Sequence, residues 1–194
     1  DLSAVVQSPD YIHYGNIDID KNSTKWIATY GRGVIAFNEK YNNKFIVINQ
    51  ENGNLPSNDV RCVAVDNRNQ LWIGTFTGLR IINSIDRFIT ETELTSTNIV
   101  IQEGDLAQEL FYQQVIQDIK VDGSNNKWVA IADAGVFQVS PNGQTTLRRF
   151  TKENSPLPSN NVLDIEIDEV SGEVFFATDK GLVSYLGSST KGDD

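Results

Sequence analysis

Short runs in which apolar and polar residues alternate recur along this chain, and Asp, Asn, Ser or Gly bounds each run. A two-residue period is typical of half-buried strands, and the bounding residues are those of turns. The runs come in groups of three: one that ends in Asp, one with an aromatic residue, and one that begins with Gly. The groups begin at Ile17, Val63, Ile119 and Ile165.

The aromatic residue marks an internal repeat, at Trp26, Trp72, Trp128 and Phe175, with intervals of 46, 56 and 47 residues. A period of about 40–50 residues with four strands per unit is the signature of β-propeller blades. We expect the aromatic rings to pack between adjacent blades and the repeated Asp to cap a turn. We expect the repeated glycines to permit a positive φ; they are Gly33, Gly78, Gly135 and Gly181.

The pattern therefore predicts an all-β chain, a partial β-propeller of about four blades of four antiparallel strands. The predicted blades span residues 10–55, 56–113, 114–158 and 159–187, followed by a polar tail or linker at 188–194. Fourth strands are predicted at 45–48, 99–101 and 146–150. Blade four lacks one, and residues 1–8, with an apolar run at 2–6, could close it. The best helical candidate, 106–114, is not favoured.

Closure is left open by the repeat, because a propeller must cover its sheet edges. One chain could close as a ring of four blades, and two chains could close as a ring of eight. The preferred interpretation is an open piece of a longer propeller, with self-association through its open edges as the second choice.

Composition narrows the function classes. The net charge of −10 disfavours nucleic acid as a partner. No apolar run approaches the length of a membrane span. The lone cysteine, Cys62, cannot form an internal disulfide and is expected to be packed. The chain begins at Asp1 and contains no Met, which indicates a trimmed product or a fragment, so a missing signal peptide says little about export.

Two sets of segments resemble two known families. Residues 55–58, followed by 71–75 and 78–79, are similar to the "two-component regulator propeller" repeat of sensor ectodomains in Bacteroidetes hybrid histidine kinases. Residues 121–128, 135–143, 150–157 and 172–181 resemble the last blades of the PorZ-like family of the type IX secretion system. That resemblance implies export, a location in the periplasm or at the cell surface, and a C-terminal β-sandwich beyond this chain. It implies no catalytic residues.

Ligands of propellers usually meet the loops between the second and third strands and the loops between blades. Exposed aromatic rings can stack on a carbohydrate or peptide, and Arg can pair with a carboxylate or phosphate. Ordinary solvated turns remain the favoured interpretation of these loops, and a binding surface is the other. The candidate binding residues for a protein or carbohydrate are Tyr30, Arg32, Phe76, Asp133, Asp179 and Lys180.

Other candidate chemistry is weaker. Asp18, Asp20 and Asn22 have the spacing of a calcium loop, but the central Gly and the bidentate Glu are missing, so an Asx turn is favoured. Asp164 and Glu166 project from the same face of a strand. In a chain this acidic, such pairs of carboxylates are common by chance, so the pair does not indicate catalysis. No metal or cofactor is predicted, and no enzyme. An insertion at 83–113 is either an added functional element or a plain surface hairpin.

The sequence thus predicts a non-catalytic binding or scaffold module of an exported bacterial protein, a surface component of type IX secretion. The alternative is the extracellular oligosaccharide-sensing domain of a hybrid two-component regulator.

Overall fold

The computed structural model describes residues 16–103 and 106–187. These residues form β-strands and two short 3-10 helices, Glu39–Tyr41 and Ile85–Ile89, so the all-β prediction is confirmed. The strands are β1 (Ile17–Ile19), β2 (Lys25–Thr29), β3 (Gly33–Asn38), β4 (Lys44–Ile48), β5 (Val60–Val65), β6 (Leu71–Thr75), β7 (Gly78–Ile82), β8 (Val100–Glu103), β9 (Leu106–Glu109), β10 (Ile116–Val121), β11 (Lys127–Ile131), β12 (Gly135–Val139), β13 (Thr146–Phe150), β14 (Val162–Ile167), β15 (Val174–Thr178) and β16 (Gly181–Tyr185).

The strands form four antiparallel sheets, here called blades 1 to 4, and one separate hairpin. Blade 1 is β1-β2-β3-β4, blade 2 is β5-β6-β7, blade 3 is β10-β11-β12-β13 and blade 4 is β14-β15-β16. Strand order follows chain order in each blade, because short turns join antiparallel neighbours. The predicted closing strand at 2–6 lies outside the described residues.

The outer edge of blade 2 differs from the prediction. Among the described residues, a single antiparallel bridge, between Ile81 and Thr97, lies on the outer side of β7, and the predicted fourth strand at 99–101 does not pair there. Residues from Val100 instead pair with β9 in the hairpin β8–β9. The start of the helical candidate 106–114 is therefore strand β9. The insertion therefore forms a hairpin of its own rather than a fourth strand of blade 2.

Neighbouring blades pack face to face around the repeated aromatic residues. Trp26 of blade 1 is fully buried in a hydrophobic cluster with Val60 and Val63 of blade 2. Trp72 is buried in the same way against blade 3, and Trp128 against blade 4. We call the tryptophan side of each blade its forward face and the opposite side its back face. Each junction buries the forward face of one blade against the back face of the next.

The repeated aspartate closes the turn between the first two strands of every blade. In blade 1, Oδ1 of Asp20 accepts from the backbone N–H groups of Asn22 at 2.8 Å and Thr24 at 2.9 Å. This is an Asx turn, in which a side chain replaces a backbone acceptor. The same turn follows Asp66, Asp122 and Asp168.

Two of the repeated glycines are required by their surroundings. Gly33 and Gly135 have φ of +85° and +84°. A Cβ at either position would lie 2.0 Å from a backbone carbonyl oxygen, of Ile48 or Phe150 respectively. No side chain can be accommodated there, because the clashing atom belongs to the backbone of the outer strand or its end.

A buried ion pair crosses the junction between blades 2 and 3. Nζ of Lys127 lies 2.8 Å from Oδ2 of Asp66, and both side chains are fully buried. Nζ also donates to the carbonyl oxygens of Asn125 and Pro141, each at 2.9 Å, and lies 4.6 Å from the ring centroid of Trp72. Every N–H of the ammonium thus has an acceptor, which is the condition for tolerating a buried charge.

Candidate functional site

The turns between the second and third strands lie beside the linkers that join successive blades. The linker before β5 contacts blade 1, where the N–H of Gly33 donates to the carbonyl of Asn58 at 2.9 Å. It also contacts blade 2, where the N–H of Phe76 donates to the carbonyl of Asp59 at 3.0 Å. The linker before β14 makes the same two bonds to blades 3 and 4, at 3.0 and 3.3 Å. We call this set of turns and linkers the loop face.

Two exposed rings on the loop face flank one guanidinium. Cζ of Arg61 lies 5.3 Å from the ring centroid of Tyr30 and 5.4 Å from that of Phe76. Its Nε and Nη2 face the two carboxylate oxygens of Asp59, at 2.9 and 3.0 Å. One hydrogen bond, from Nη2 to Oδ2, and the ion pair hold the guanidinium beside both rings, and the aromatic faces attract its charge. We call these four residues the aromatic–arginine cluster.

The cluster keeps its rings accessible. Tyr30 is 43% exposed and Phe76 is 47% exposed, whereas the side chains of Arg61 and Asp59 are only 21% and 19% exposed. The ion pair neutralises its own charge, so the surface offered to a partner is aromatic and uncharged. Such a surface is suited to stacking on a sugar ring or a peptide side chain rather than to capturing an anion.

A β-bulge brings Arg61 to the loop face. The register of β5 against β6 shifts between Val60 and Cys62, which leaves Arg61 as the extra residue. A bulge re-aims a side chain out of the regular alternation. The same shift occurs in β10 and β14, where Gln117 and Leu163 hold the equivalent place. Sequence reasoning missed Arg61 because alternation alone assigns it to an ordinary strand face, and no sequence signal marks the bulge.

The other predicted site residues lie on the loop face but apart from this cluster. Arg32 borders a hollow of about 170 Å³ together with Asn58 of the linker. Asp133 is exposed at the turn of blade 3, with φ of +57°. Asp179 and Lys180 are exposed at the turn of blade 4. A binding role for these four residues stays a prediction.

The innermost strands β1, β5, β10 and β14 border a larger cavity, of about 540 Å³. At the junctions of blades 1 and 2 and of blades 3 and 4, a side chain of one inner strand or its start accepts from a backbone N–H of the next, and each donor lies 47 residues after its acceptor. These bonds satisfy N–H groups on an edge that has no neighbouring strand. We call them the inner-strand ladder; they join Asn16 Oδ1 to Val63 N (3.0 Å), Asp18 Oδ2 to Val65 N (2.7 Å) and Asp118 Oδ2 to Ile165 N (2.9 Å).

The ladder holds a carboxyl with an unusual titration. Burial raises the pKa of Asp118 to about 7; the nearby Lys120 opposes this shift, and the hydrogen-bonded carboxyl of Asp164 adds to it. Nζ of Lys120 also lies 3.1 Å from Oε2 of Glu166. Burial, followed by the charge of Asp118, raises the pKa of the Cys62 thiol well above its ordinary value. Cys62 is therefore a packed thiol and is poorly suited to act as a nucleophile.

The residues with the spacing of a calcium loop, Asp18, Asp20 and Asn22, have structural roles. Oδ1 of Asp20 accepts the hydrogen bond of its Asx turn, and Oδ2 accepts from Nε1 of Trp26 at 3.2 Å. Oδ2 of Asp18 accepts from the N–H of Val65 in the inner-strand ladder. Among residues 16–103 and 106–187, no group of three or more His, Cys, Asp or Glu side chains is arranged to hold a metal ion.

The first part of the insertion at 83–113 is buried in the hydrophobic core. Phe88 is fully buried, and its ring meets Trp26 edge-on with 6.1 Å between centroids. Nζ of Lys44 donates to the carbonyl oxygens of Ile89 and Glu91, at 3.1 and 2.6 Å. The 3-10 helix therefore covers the outer end of the blade 1–2 junction, and the exposed part of the insertion is the hairpin.

Residues 54–77 match the family model described as two component regulator propeller. This segment includes Asp59, Arg61 and Phe76 of the aromatic–arginine cluster. The histidine kinase P4 of Formosa agariphila is 28% identical over an alignment of 88 residues, and the match covers 40% of this chain and 6% of that protein.

Solved structures share the fold. PorZ, an essential bacterial surface component of the type IX secretion system of Porphyromonas gingivalis, has a TM-score of 0.79 and 24% identity, over 90% of this chain and 26% of its own. The extracellular domain of the two-component system BT3049 from B. thetaiotaomicron has a TM-score of 0.66 and 24% identity, over 91% of this chain and 21% of its own. These likenesses confirm the predicted β-propeller fold.

The chain spans about a quarter of the length of PorZ. A luciferin-regenerating enzyme also shares the fold, with a TM-score of 0.55 and 11% identity over 84% of this chain and 52% of its own. Function must therefore be argued from the site. No helix among the described residues is long and apolar enough to cross a membrane.

Proposed function

We propose that this chain is a non-catalytic binding and scaffold module of an exported bacterial protein that acts at the cell surface in type IX secretion. The observation that supports this is the likeness to PorZ, whose TM-score of 0.79 exceeds the 0.66 of the BT3049 domain at equal coverage of this chain. In this role the blades are a rigid support, and the partner is a protein or a carbohydrate.

The contact surface in this proposal is the loop face around the aromatic–arginine cluster. Tyr30 and Phe76 belong to different blades, and Arg61 holds them in one fixed arrangement. A preformed surface loses little conformational entropy on binding, so a small number of aromatic contacts can give specific recognition.

A second candidate function is supported by a separate observation. The repeat at 54–77 matches a model named for two-component regulators, and the similarity to histidine kinase P4 points the same way. In that alternative the chain is part of an extracellular domain that senses an oligosaccharide, and the same aromatic rings would stack on sugar rings.

Disruption of the gene for the parent protein separates the two functions. A secretion scaffold predicts that type IX cargo proteins disappear from the cell surface and accumulate in the periplasm, as quantified by mass spectrometry of cell fractions. A sensor predicts intact cargo secretion and loss of transcriptional induction by a polysaccharide. Normal cargo distribution in the disrupted strain would refute the secretion role.

Complementation of that strain tests the contact surface. We expect a gene carrying Tyr30→Ser and Phe76→Ser to fail to restore cargo secretion. Phe45→Ser is the matched control, because Phe45 is an exposed aromatic residue of β4 at the end of the strand away from the loop face. Equal restoration by all variants, at equal protein levels, would remove the cluster from the proposal.

A further inference from the structure

The aromatic–arginine cluster exposes its rings and buries several of its polar atoms. Oδ1 of Asp59 and Nε of Arg61 have almost no accessible surface, and the same is true of Oγ1 of Thr77 in the turn beside Phe76. The rings of Tyr30 and Phe76 are close to half exposed. A ligand that reaches the cluster therefore meets mainly aromatic carbon, and these hydrogen-bonding atoms are not accessible to sugar hydroxyl groups.

The linker beside the cluster uses its polar side chains internally. Oγ of Ser57 accepts from the N–H of Asp59 at 3.0 Å. Oδ1 of Asn58 accepts from the N–H of Gln50 at 2.8 Å, and Nε2 of Gln50 donates to the carbonyl of Pro56 at 3.1 Å. These bonds hold the linker in place. They do not provide the convergent polar groups that orient a polar ligand such as a sugar.

Proline is the residue that fits such a surface. Its ring is apolar and it has no backbone N–H, so covering it leaves no donor unpaired. A proline-rich segment in the polyproline II conformation is already extended before it binds, and such segments dock on aromatic surfaces. The pair of Arg61 and Asp59 is neutral overall, so the cluster has no net charge that would favour an acidic or a basic segment instead.

The spacing of the two rings agrees with this conformation. Cζ of Arg61 lies 5.3 Å from the ring centroid of Tyr30 and 5.4 Å from that of Phe76, so the two centroids are no farther apart than the sum of these distances. Polyproline II rises about 3.1 Å per residue with three residues per turn, so residues i and i+3 lie on one side about 9 Å apart. This repeat is within the limit, and two prolines at that spacing can each contact one ring.

We propose that the aromatic–arginine cluster binds an extended, proline-containing segment of a partner protein. One proline packs on Tyr30, and the proline three residues away packs on Phe76. The inference rests on the proposed function, because it names the kind of partner that the loop face takes. Both rings contact Arg61 at the junction of blades 1 and 2, so both halves of the site belong to the described residues.

The test is a titration of the purified chain with decaproline whose ends are blocked, followed by NMR of the tyrosine and phenylalanine ring signals. We expect saturable shifts of the Tyr30 and Phe76 signals. A blocked Gly–Ser peptide of the same length, which is flexible and has no apolar ring, should cause none. The affinity should change little with ionic strength, because the contact has no net charge. Unchanged ring signals at the highest soluble concentration of decaproline would overturn the proposal.

Matched variants locate the contact. Tyr30→Ser and Phe76→Ser should each weaken decaproline binding about tenfold, as loss of an aromatic anchor does. Phe45→Ser removes an exposed ring of β4 away from the loop face and should leave the affinity unchanged. Circular dichroism establishes that each variant is folded. Equal affinity of the three variants would refute the assigned surface.

The same titration with cellohexaose tests a carbohydrate as the occupant. Shifts of both ring signals by cellohexaose and not by decaproline would overturn the proposal. The readout is binding by the purified chain and does not depend on secretion. If Tyr30 and Phe76 are required for cargo secretion but the chain does not bind decaproline, this inference alone fails. Normal secretion in the disrupted strain, together with decaproline binding at the two rings, would refute the secretion role alone.

Discussion

Blades 2 and 3 have the same repeat and the same arrangement of their first three strands, yet equivalent positions make different interactions. The first residue of the second strand is Leu71 in blade 2 and the buried Lys127 in blade 3. The ladder position is Cys62 in blade 2 and Asp118 in blade 3. The comparison shows that the repeat fixes the strands and turns and leaves the chemistry of each junction free to vary.

The shared aspartate illustrates this freedom. In blade 3, Oδ2 of Asp122 accepts from Nε1 of Trp128 at 3.1 Å. In blade 2, Oδ2 of Asp66 is taken by Lys127, and among the described residues Nε1 of Trp72 has no acceptor. Burial pushes the pKa of Asp66 upward, but the hydrogen bonds from Lys127 and the Gln70 N–H outweigh it, so the pKa lies below its ordinary value. The junction of blades 2 and 3 thus contains a buried ion pair where the junction of blades 3 and 4 has an indole hydrogen bond.

The largest expected effect comes from Lys127→Met, which leaves the buried carboxylate of Asp66 without its cation. Loss of one partner of a buried pair costs about 3–5 kcal/mol in the free energy of unfolding. Urea denaturation followed by circular dichroism measures it. Lys25→Met is the control, because Lys25 holds the same strand position but pairs with Glu39 at the surface, where the cost is under about 1 kcal/mol. Equal losses would contradict the buried pair, and Asp66→Asn added to Lys127→Met should recover part of the loss.

The next effect compares two equivalent glycines. Gly135→Ala should destabilise the chain by about 2–3 kcal/mol, because its Cβ strikes the carbonyl oxygen of Phe150 and its φ is positive. Gly78→Ala should cost about 1 kcal/mol, since its φ is also positive but its Cβ would meet nothing closer than 3.5 Å. Urea midpoints of the two variants give the difference. A larger loss for Gly78→Ala would show that the outer strand of blade 3 does not confine its glycine.

A third comparison is the pH dependence that Asp118 of blade 3 contributes, since the equivalent position in blade 2, Cys62, carries no carboxyl. The pKa of Asp118 is raised from 3.8 to about 7 by burial, so the folded chain binds more protons than the unfolded chain between these values. Stability from this group is therefore complete below pH 3.8 and is lost as pH rises toward 7, by at most about 1.4 kcal/mol per pH unit.

Asp118→Asn isolates that contribution. The amide oxygen can still accept from the Ile165 N–H, and the variant cannot ionise, so it should be more stable than the parent chain at pH 8 and should lose this advantage toward pH 4. The quantity to measure is the difference in unfolding free energy between the two proteins across this range. A difference that does not change with pH would contradict a buried, titrating carboxyl.

Much of the architecture follows from local sequence. The period of the strands, the Asx turn after Asp20 and the glycine at 33 depend on residues within one blade, so one sequence suffices to predict them. The same is true of Tyr30 and Phe76, which occupy turns whose place on the loop face is set by the repeat.

The rest depends on contacts between blades. Asp66 and Lys127 are 61 residues apart, and neither has a local pattern that identifies the other. The bulge that turns Arg61 toward the two rings is a property of how β5 pairs with β6. Residues from Val100 pair in a hairpin rather than beside β7, and the alternating pattern is equally compatible with either arrangement.

The distribution of indole rings has an optical consequence. One tryptophan occupies each junction between the four blades, and Phe175 holds the equivalent position in blade 4. Each ring has its own surroundings: Trp26 beside Phe88, Trp72 beneath an ammonium group, and Trp128 among Phe150, Phe176 and Tyr185. Chains that retain a single tryptophan would therefore emit from one junction at a time. The molecule thus contains three built-in fluorophores, with which the order of separation of its blades can be followed without any attached dye.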